Sequence, residues 1–241
     1  MKTLILGAAP LPNDEGAPPI WLAEQSGEML VERFVRVCVG LGGQLIFAVS
    51  AEDVRRYRLD SVISLAAPGS ALVSVRGQTR GAACTALLCV HHIDPDGELL
   101  ILSGNEIIDT SYIGLVTEFR NRGLDAGVPV FHALHPRYSY VRLDENGFVV
   151  EAAEKNPISY DAMAGFTWFR RGGDFVTAAQ AMLRKDAQVN GNFFISLTLN
   201  ELILQQKKIG VVPIDARQYM PLKSRQQVMA YERGAFETGT V

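Results

Sequence analysis

Four short apolar runs in the first 125 residues are separated by segments of helical periodicity, and few folds accommodate that alternation. "TLILGAA" (3–9), "QLIFAVS" (44–50), "ALVSVRG" (71–77) and "ELLILSG" (98–104) each have the length and β-branched content of a buried strand. Between them, "EMLVERFVRVCVGLG" places Leu30, Phe34, Val37 and Leu41 on one helical face, with Gly42 as its stop. "AEDVRRY" starts a helix after Ser50, and "TRGAACTALLCVHHI" another, with Thr79 as its candidate N-cap. Strands alternating with helices imply a parallel sheet with right-handed crossovers. The Pro- and Gly-rich "PLPNDEGAPPIW" (10–21) reads as an irregular loop.

After residue 127 the texture changes. "VPVFHAL", "YSYVRLD", "FVVEAAE" and "AGFTWFR" are strand candidates, with "DENG" as the turn between the second and third. Two apolar helices, "FVTAAQAMLRKDA" and "FFISLTLNELILQQKK", precede a late strand, "IGVVPID". A last helix, "SRQQVMAYERG", begins at Ser224 as N-cap. One α/β domain with mixed strands in its second half is the simplest organisation. The segment "FFISLTLNELIL" suits either core or an interface in a homo-oligomer.

Charge excludes some partners. At −3 the chain has no basic footprint, which argues against nucleic acid. No apolar run reaches the roughly 20 residues needed to span a bilayer. The start, "MKTLILGAAPLP", reads as a first strand rather than a signal peptide. Cys38, Cys84 and Cys89 are odd in number and lie in apolar, helix-like segments, as buried thiols of a reducing compartment do. A cytoplasmic protein is the expectation.

In open α/β sheets, ligands sit beyond the carboxyl ends of the strands. Three such ends carry suggestive residues: Gly7-Ala8, Gly77-Gln78 and Gly104-Asn105. A small residue after a strand lets backbone N–H groups approach an anion, although by itself Gly7 better suits tight strand–loop packing. Gln78 can pair with a base edge, and Gly81 and Ala82 leave room for a flat ring or for close packing on the sheet. Asn105, Glu106 and Asp109 follow a buried strand, where hard oxygen ligands could hold Mg2+, or where Glu106 or Asp109 could cap a helix. His132 and His135 lack a third ligand at a zinc spacing. Arg137 is either solvated or faces a phosphate. In "EAAEKNPIS" (151–159), Glu154-Lys155 stands beside a proline at the end of an extended run. It is either a solvated strand end or a clamp for a phosphorylated ligand.

Taken in order, "LILGAA", "GQTRGAACTALL", "ELLILSGNEIID", "HPRYSYVRLDENGFVVEAAEKNPIS", "AGFTWF" and "YMPLKSRQQVMAYE" resemble the sugar-phosphate nucleotidylyltransferases along nearly the whole chain. The resemblance implies a Rossmann-like three-layer α/β/α fold with a mixed, mostly parallel sheet. It implies a nucleotide-binding half (1–125) and a sugar-phosphate-binding half (126–241). The implied reaction joins an NTP and a sugar 1-phosphate to give an NDP-sugar and pyrophosphate, with Mg2+ as cofactor, in the supply of surface-polysaccharide precursors. Leu6, Gly7, Ala8, Gln78, Gly81 and Ala82 would meet the nucleotide. Glu154, Lys155 and Gly165 would hold the sugar phosphate. Lys155, Asn105 and Arg137 would serve catalysis, and Asn105, Glu106 or Asp109 the metal. The sequence also departs from the pattern. The first loop lacks the family's catalytic Arg, and Ile20 replaces a Lys. Asn105 stands where a metal-binding Asp is usual, and Thr198 and Asn200 occupy the neighbourhood of the second metal Asp. Asn156 interrupts the "EKP" element. Asp14, Glu15 and Arg80 are candidate replacement charges. A nucleotide-sugar-dependent glycosyltransferase and a non-catalytic binder are the alternative readings.

Overall fold

The computed structural model describes residues 1–9 and 18–234. Its strands and helices follow the expected alternation closely. In the first half, β1 (Lys2–Gly7) leads past a two-residue hairpin, β2 (Glu24–Gln25) and β3 (Glu28–Met29), into α1 (Leu30–Cys38). Next come β4 (Gln44–Ser50), α2 (Ala51–Tyr57), α3 (Leu59–Ala66), β5 (Ala71–Val75), α4 (Ala82–Leu88) and β6 (Leu99–Ser103). β7 (Glu106–Ile108) and α5 (Tyr112–Asn121) close this half. β6, β1, β4 and β5 lie side by side in that order, all parallel.

The second half contributes β8 (Ala126–His132), β9 (Ser139–Leu143), β10 (Val149–Glu154), β11 (Asp161–Met163) and β12 (Phe166–Phe169). After α6 (Gly172–Arg184) and α7 (Ile195–Leu204) come β13 (Ile209–Pro213), β14 (Tyr219–Pro221) and α8 (Arg225–Glu232). β12 inserts between β6 and β8, antiparallel to both, so the two halves share one sheet. β13 pairs parallel with β8 along its other edge.

The side-chain period of two sorts each central strand between two cores. Ile5, Phe47, Leu100 and Leu102 face α1, α3, α5 and α8; Leu4, Ile46, Leu99 and Ile101 face α4, α6 and α7. Three layers, α/β/α, result, as the resemblance implied. α7 covers the second core with Leu199 and Leu202, so most of "FFISLTLNELIL" is core. On the outer side of β10, the Asn200 carboxamide accepts from Ala152 N–H and donates to Ala152 C=O, each at 2.8 Å.

Local caps explain several boundaries. Ser50 Oγ accepts from the Glu52 and Asp53 amides, and Ser224 Oγ from the Gln227 amide. Thr79 is not an N-cap. Gly81 is the residue at the N-cap of α4, and the Thr79 hydroxyl bonds Thr85 and the Gly81 carbonyl instead. α5 is capped by Ser111, not by Glu106 or Asp109. Cys38 and Cys89 are buried and Cys84 half-buried, all three as free thiols. No helix among the described residues is long and apolar enough to cross a membrane.

Candidate functional site

The carboxyl ends of β1, β5 and β6 open into one cavity of about 1090 Å3, whose far side is built from β9, β10 and the start of α7. Twelve of the residues singled out from the sequence line it: Leu6, Gly7, Ala8, Gln78, Gly81, Ala82, Asn105, Glu106, Arg137, Glu154, Lys155 and Gly165.

The glycines are there for close packing. A Cβ on Gly7 would lie 1.8 Å from Trp21 Cζ2, and the Trp21 indole donates to the Gly7 carbonyl at 3.3 Å. Gly81 has φ +101°, and a Cβ there would lie 2.4 Å from the Phe193 carbonyl oxygen. That approach lets Phe193 pair with Arg80 and Ala83 and brings Asn192, Phe194, Ile195 and Ser196 to the cavity wall. Gly165 stands between β11 and β12, where a Cβ would meet Ser103 at 2.6 Å and Glu106 Cδ at 2.7 Å.

Glu154 ends β10 with a buried carboxylate. Its Oε2 accepts from Ser139 Oγ and from Ser196 Oγ, the latter at 2.9 Å. Burial pushes its pKa up, and the two hydroxyls act in the opposite direction. Lys155 follows with φ +55°, which breaks the strand alternation and lets both members of the pair border the cavity. A left-handed residue with a side chain costs roughly 1 kcal/mol, so the hairpin holds this conformation against a real penalty. The Lys155 ammonium lies 5.3 Å from the centre of the Phe194 ring. The Arg137 guanidinium lies over Tyr138 at 5.4 Å.

Lys223 is the group the sequence reading missed. β14 pairs antiparallel with β7, Pro221 opposite Glu106, and the Leu222 amide donates to the Asn105 carbonyl at 2.8 Å. That ladder brings Lys223 Nζ to 2.7 Å from Glu106 Oε1, while Glu106 Oε2 accepts from the Gly165 amide at 2.7 Å. Tyr219 is buried beside this carboxylate, and burial with the nearby negative charge raises its phenol well above the usual range. Ser139 and Ser196 were also missed. "YMPLKS" lay inside the quoted resemblance, but a single Lys before an N-cap Ser carries no periodic signal.

Four candidates fall elsewhere. Asp109 is exposed beyond β7, 3.7 Å from the Arg33 guanidinium, and does not reach the cavity. Arg80 turns outward to Asp186, the Gly191 carbonyl and the Phe193 ring. Thr198 is buried and donates to the Ile195 carbonyl, and Asn200 is committed to β10. The loop at Lys223, not α7, closes on Asn105. Asp14 and Glu15 lie outside the described residues.

Two solved structures are similar over their whole lengths. A nucleoside-diphosphate-sugar pyrophosphorylase from Vibrio cholerae RC9 superposes with a TM-score of 0.80 at 18% identity, covering 95% of this chain and 99% of its own. A Bacillus anthracis protein assigned as glucose-1-phosphate thymidylyltransferase, solved with sucrose, gives 0.74 at 16% identity, covering 100% and 97%. The chain has the fold of the sugar-phosphate nucleotidylyltransferases. No family model and no curated protein matches the sequence.

Magnesium, which the sequence resemblance implies, takes hard oxygen ligands and is usually held by one or two carboxylates together with waters and substrate phosphates. The described residues do not fit it. Asn105 offers a neutral amide, both Glu106 oxygens are engaged, Glu154 Oε2 already accepts two hydroxyls, and among the described residues no group of three His, Cys, Asp or Glu is placed to share an ion.

Proposed function

We propose that this chain binds a nucleotide and a sugar phosphate in this cavity and transfers a nucleotidyl group between them. One observation carries the reading: three strand ends and the Glu154-Lys155 hairpin converge on a space large enough for both ligands. Leu6, Gly7 and Ala8 run beside the nucleotide, with Gln78 at the base and Gly81 and Ala82 beneath it. Glu154 accepts from a sugar hydroxyl, and Lys155 pairs with the sugar phosphate. In the reaction, a phosphate oxygen of the sugar phosphate attacks the α-phosphorus. The bond from that phosphorus to the bridging oxygen of the β-phosphate breaks, and pyrophosphate leaves.

Such transfers depend chiefly on positioning and on charge placed against the phosphates. Arg137 and Lys155 supply positive charge at the cavity wall. Asn105 can donate its amide N–H to a phosphate oxygen, which a carboxylate cannot do. No step is assigned to a metal. Supply of surface-polysaccharide precursors in the cytoplasm is the setting this reading suggests, supported by the sequence resemblance alone.

A second reading, a nucleotide-sugar binder that transfers nothing, is favoured by Glu106, whose two oxygens are both engaged by Lys223 and the Gly165 amide. Pyrophosphate release decides between them. The chain is incubated with each NTP and a panel of sugar 1-phosphates, with and without Mg2+. Release requiring one NTP and one acceptor supports transfer. Binding of an NDP-sugar without release under any condition supports the second reading.

A further inference from the structure

The loop that closes on Asn105 brings a cation of the chain's own to the cavity. Lys223 Nζ is 2.7 Å from Glu106 Oε1, and its side chain is 35% exposed, against 8% for Glu106. The ammonium thus has a buried carboxylate on one side and the cavity on the other. An ammonium carries three donors, and among the described residues only Glu106 takes one, so two remain for a ligand.

Its position is fixed by backbone rather than by a free tether. The β7–β14 ladder, the Leu222–Asn105 hydrogen bond and the Gln227 side chain accepting from the Lys223 amide at 2.8 Å hold the loop. Glu106 is fixed in turn by the Gly165 amide. A divalent ion seeking Glu106 would have to displace both partners and then sit against the ammonium. Like charges at that separation repel strongly in a partly buried site.

We infer that Lys223, oriented by Glu106, is the resident cation at the Asn105 strand end of this cavity, beside Arg137 and Lys155 on its wall. It takes the charge of a nucleotide phosphate directly, so that nucleotide binding does not require a divalent metal. The inference rests on the proposed nucleotide site and adds to it the group that balances the phosphate.

The test is isothermal titration of the full chain with ATP, CTP, GTP, UTP and dTTP, in magnesium buffer and in EDTA. The tightest nucleotide should keep its Kd within about twofold in EDTA, and Lys223→Met should weaken it about tenfold or more in both buffers, as loss of a charge-assisted contact does. Lys223→Arg should retain most of the affinity. Because Lys223→Met leaves Glu106 unpaired, the double variant Glu106→Gln/Lys223→Met is measured beside it. It should fold as judged by circular dichroism and bind as weakly. Affinity that collapses in EDTA, or a Lys223→Met chain that binds like wild type, overturns the inference and leaves the nucleotide site standing. Absence of binding by all five nucleotides in both buffers overturns the inference and the proposed function together.

Discussion

Replacing Gly7 by Ala should destabilise the chain through one ring. The added Cβ would lie 1.8 Å from Trp21 Cζ2, 2.4 Å from Cε2 and 2.8 Å from Nε1. Carbon atoms pack at about 3.5 Å or more, so the indole would have to retreat by roughly 1.7 Å. It has little room, being fully buried with Phe34 and Phe47 at centroid distances of 5.9 Å. Overpacking of this kind costs about 1–3 kcal/mol, and the indole–carbonyl hydrogen bond adds about 1 kcal/mol. At roughly 2–4 °C per kcal/mol for a chain of this length, the Tm should fall by about 5–15 °C. Thermal and urea unfolding followed by circular dichroism, with wild type, Gly7→Ala, Trp21→Leu and the double variant, measure the Tm and the free energies. Since Trp21→Leu removes the obstructing ring, the double variant should be at least about 1 kcal/mol more stable than the sum of the singles predicts. A Gly7→Ala midpoint equal to wild type, or strict additivity, would refute the steric argument.

Three further outcomes are expected. Burial holds the Glu154 carboxyl above its ordinary 4.5, so the folded chain binds this proton more tightly than the unfolded chain, and its contribution to stability declines as pH rises from 4.5 through the folded value. The Tm of Glu154→Gln relative to wild type should therefore climb between pH 4 and pH 7; a flat or falling difference contradicts this. Burial pushes the Cys38 and Cys89 thiols up to about 12, so alkylation of the native chain at pH 8 followed by peptide mapping should find Cys84 modified first and all three labelled in urea. Asn105→Asp should weaken nucleotide binding in EDTA, by adding negative charge beside the phosphates, and a gain of affinity there would count against the proposed placement.

The alternation that limited the fold was legible because strands and helices announce themselves locally. Ile5 and Leu4 face opposite cores for the same reason that "TLIL" reads as a fully buried strand. Ser50 and Ser224 were legible as caps because a cap acts within three residues. Thr79 failed as a cap because the start of α4 is set by Phe193, distant in sequence, whose carbonyl crowds Gly81. Glu154 and Lys155 were legible as a pair, but not the serines that hold the carboxylate or the left-handed turn at the lysine. Asp109 was misplaced and Lys223 missed for one reason. The β7–β14 ladder joins segments far apart in the chain, and no local pattern encodes which side chain such a ladder turns inward.

Asn200 has a consequence for how copies of this chain can meet. A carboxamide that accepts from one peptide N–H and donates to the C=O of the same residue imitates a peptide unit of a neighbouring strand. The outer side of β10 is therefore finished at Ala152 by a single side chain rather than by another strand. An incoming strand would have to expel a carboxamide held by two hydrogen bonds and displace α7, whose apolar residues are part of the core. Edge-on addition of a strand is therefore closed off at β10 around Ala152, which leaves β5, at the opposite end of the sheet, as the edge with a free ladder among the described residues.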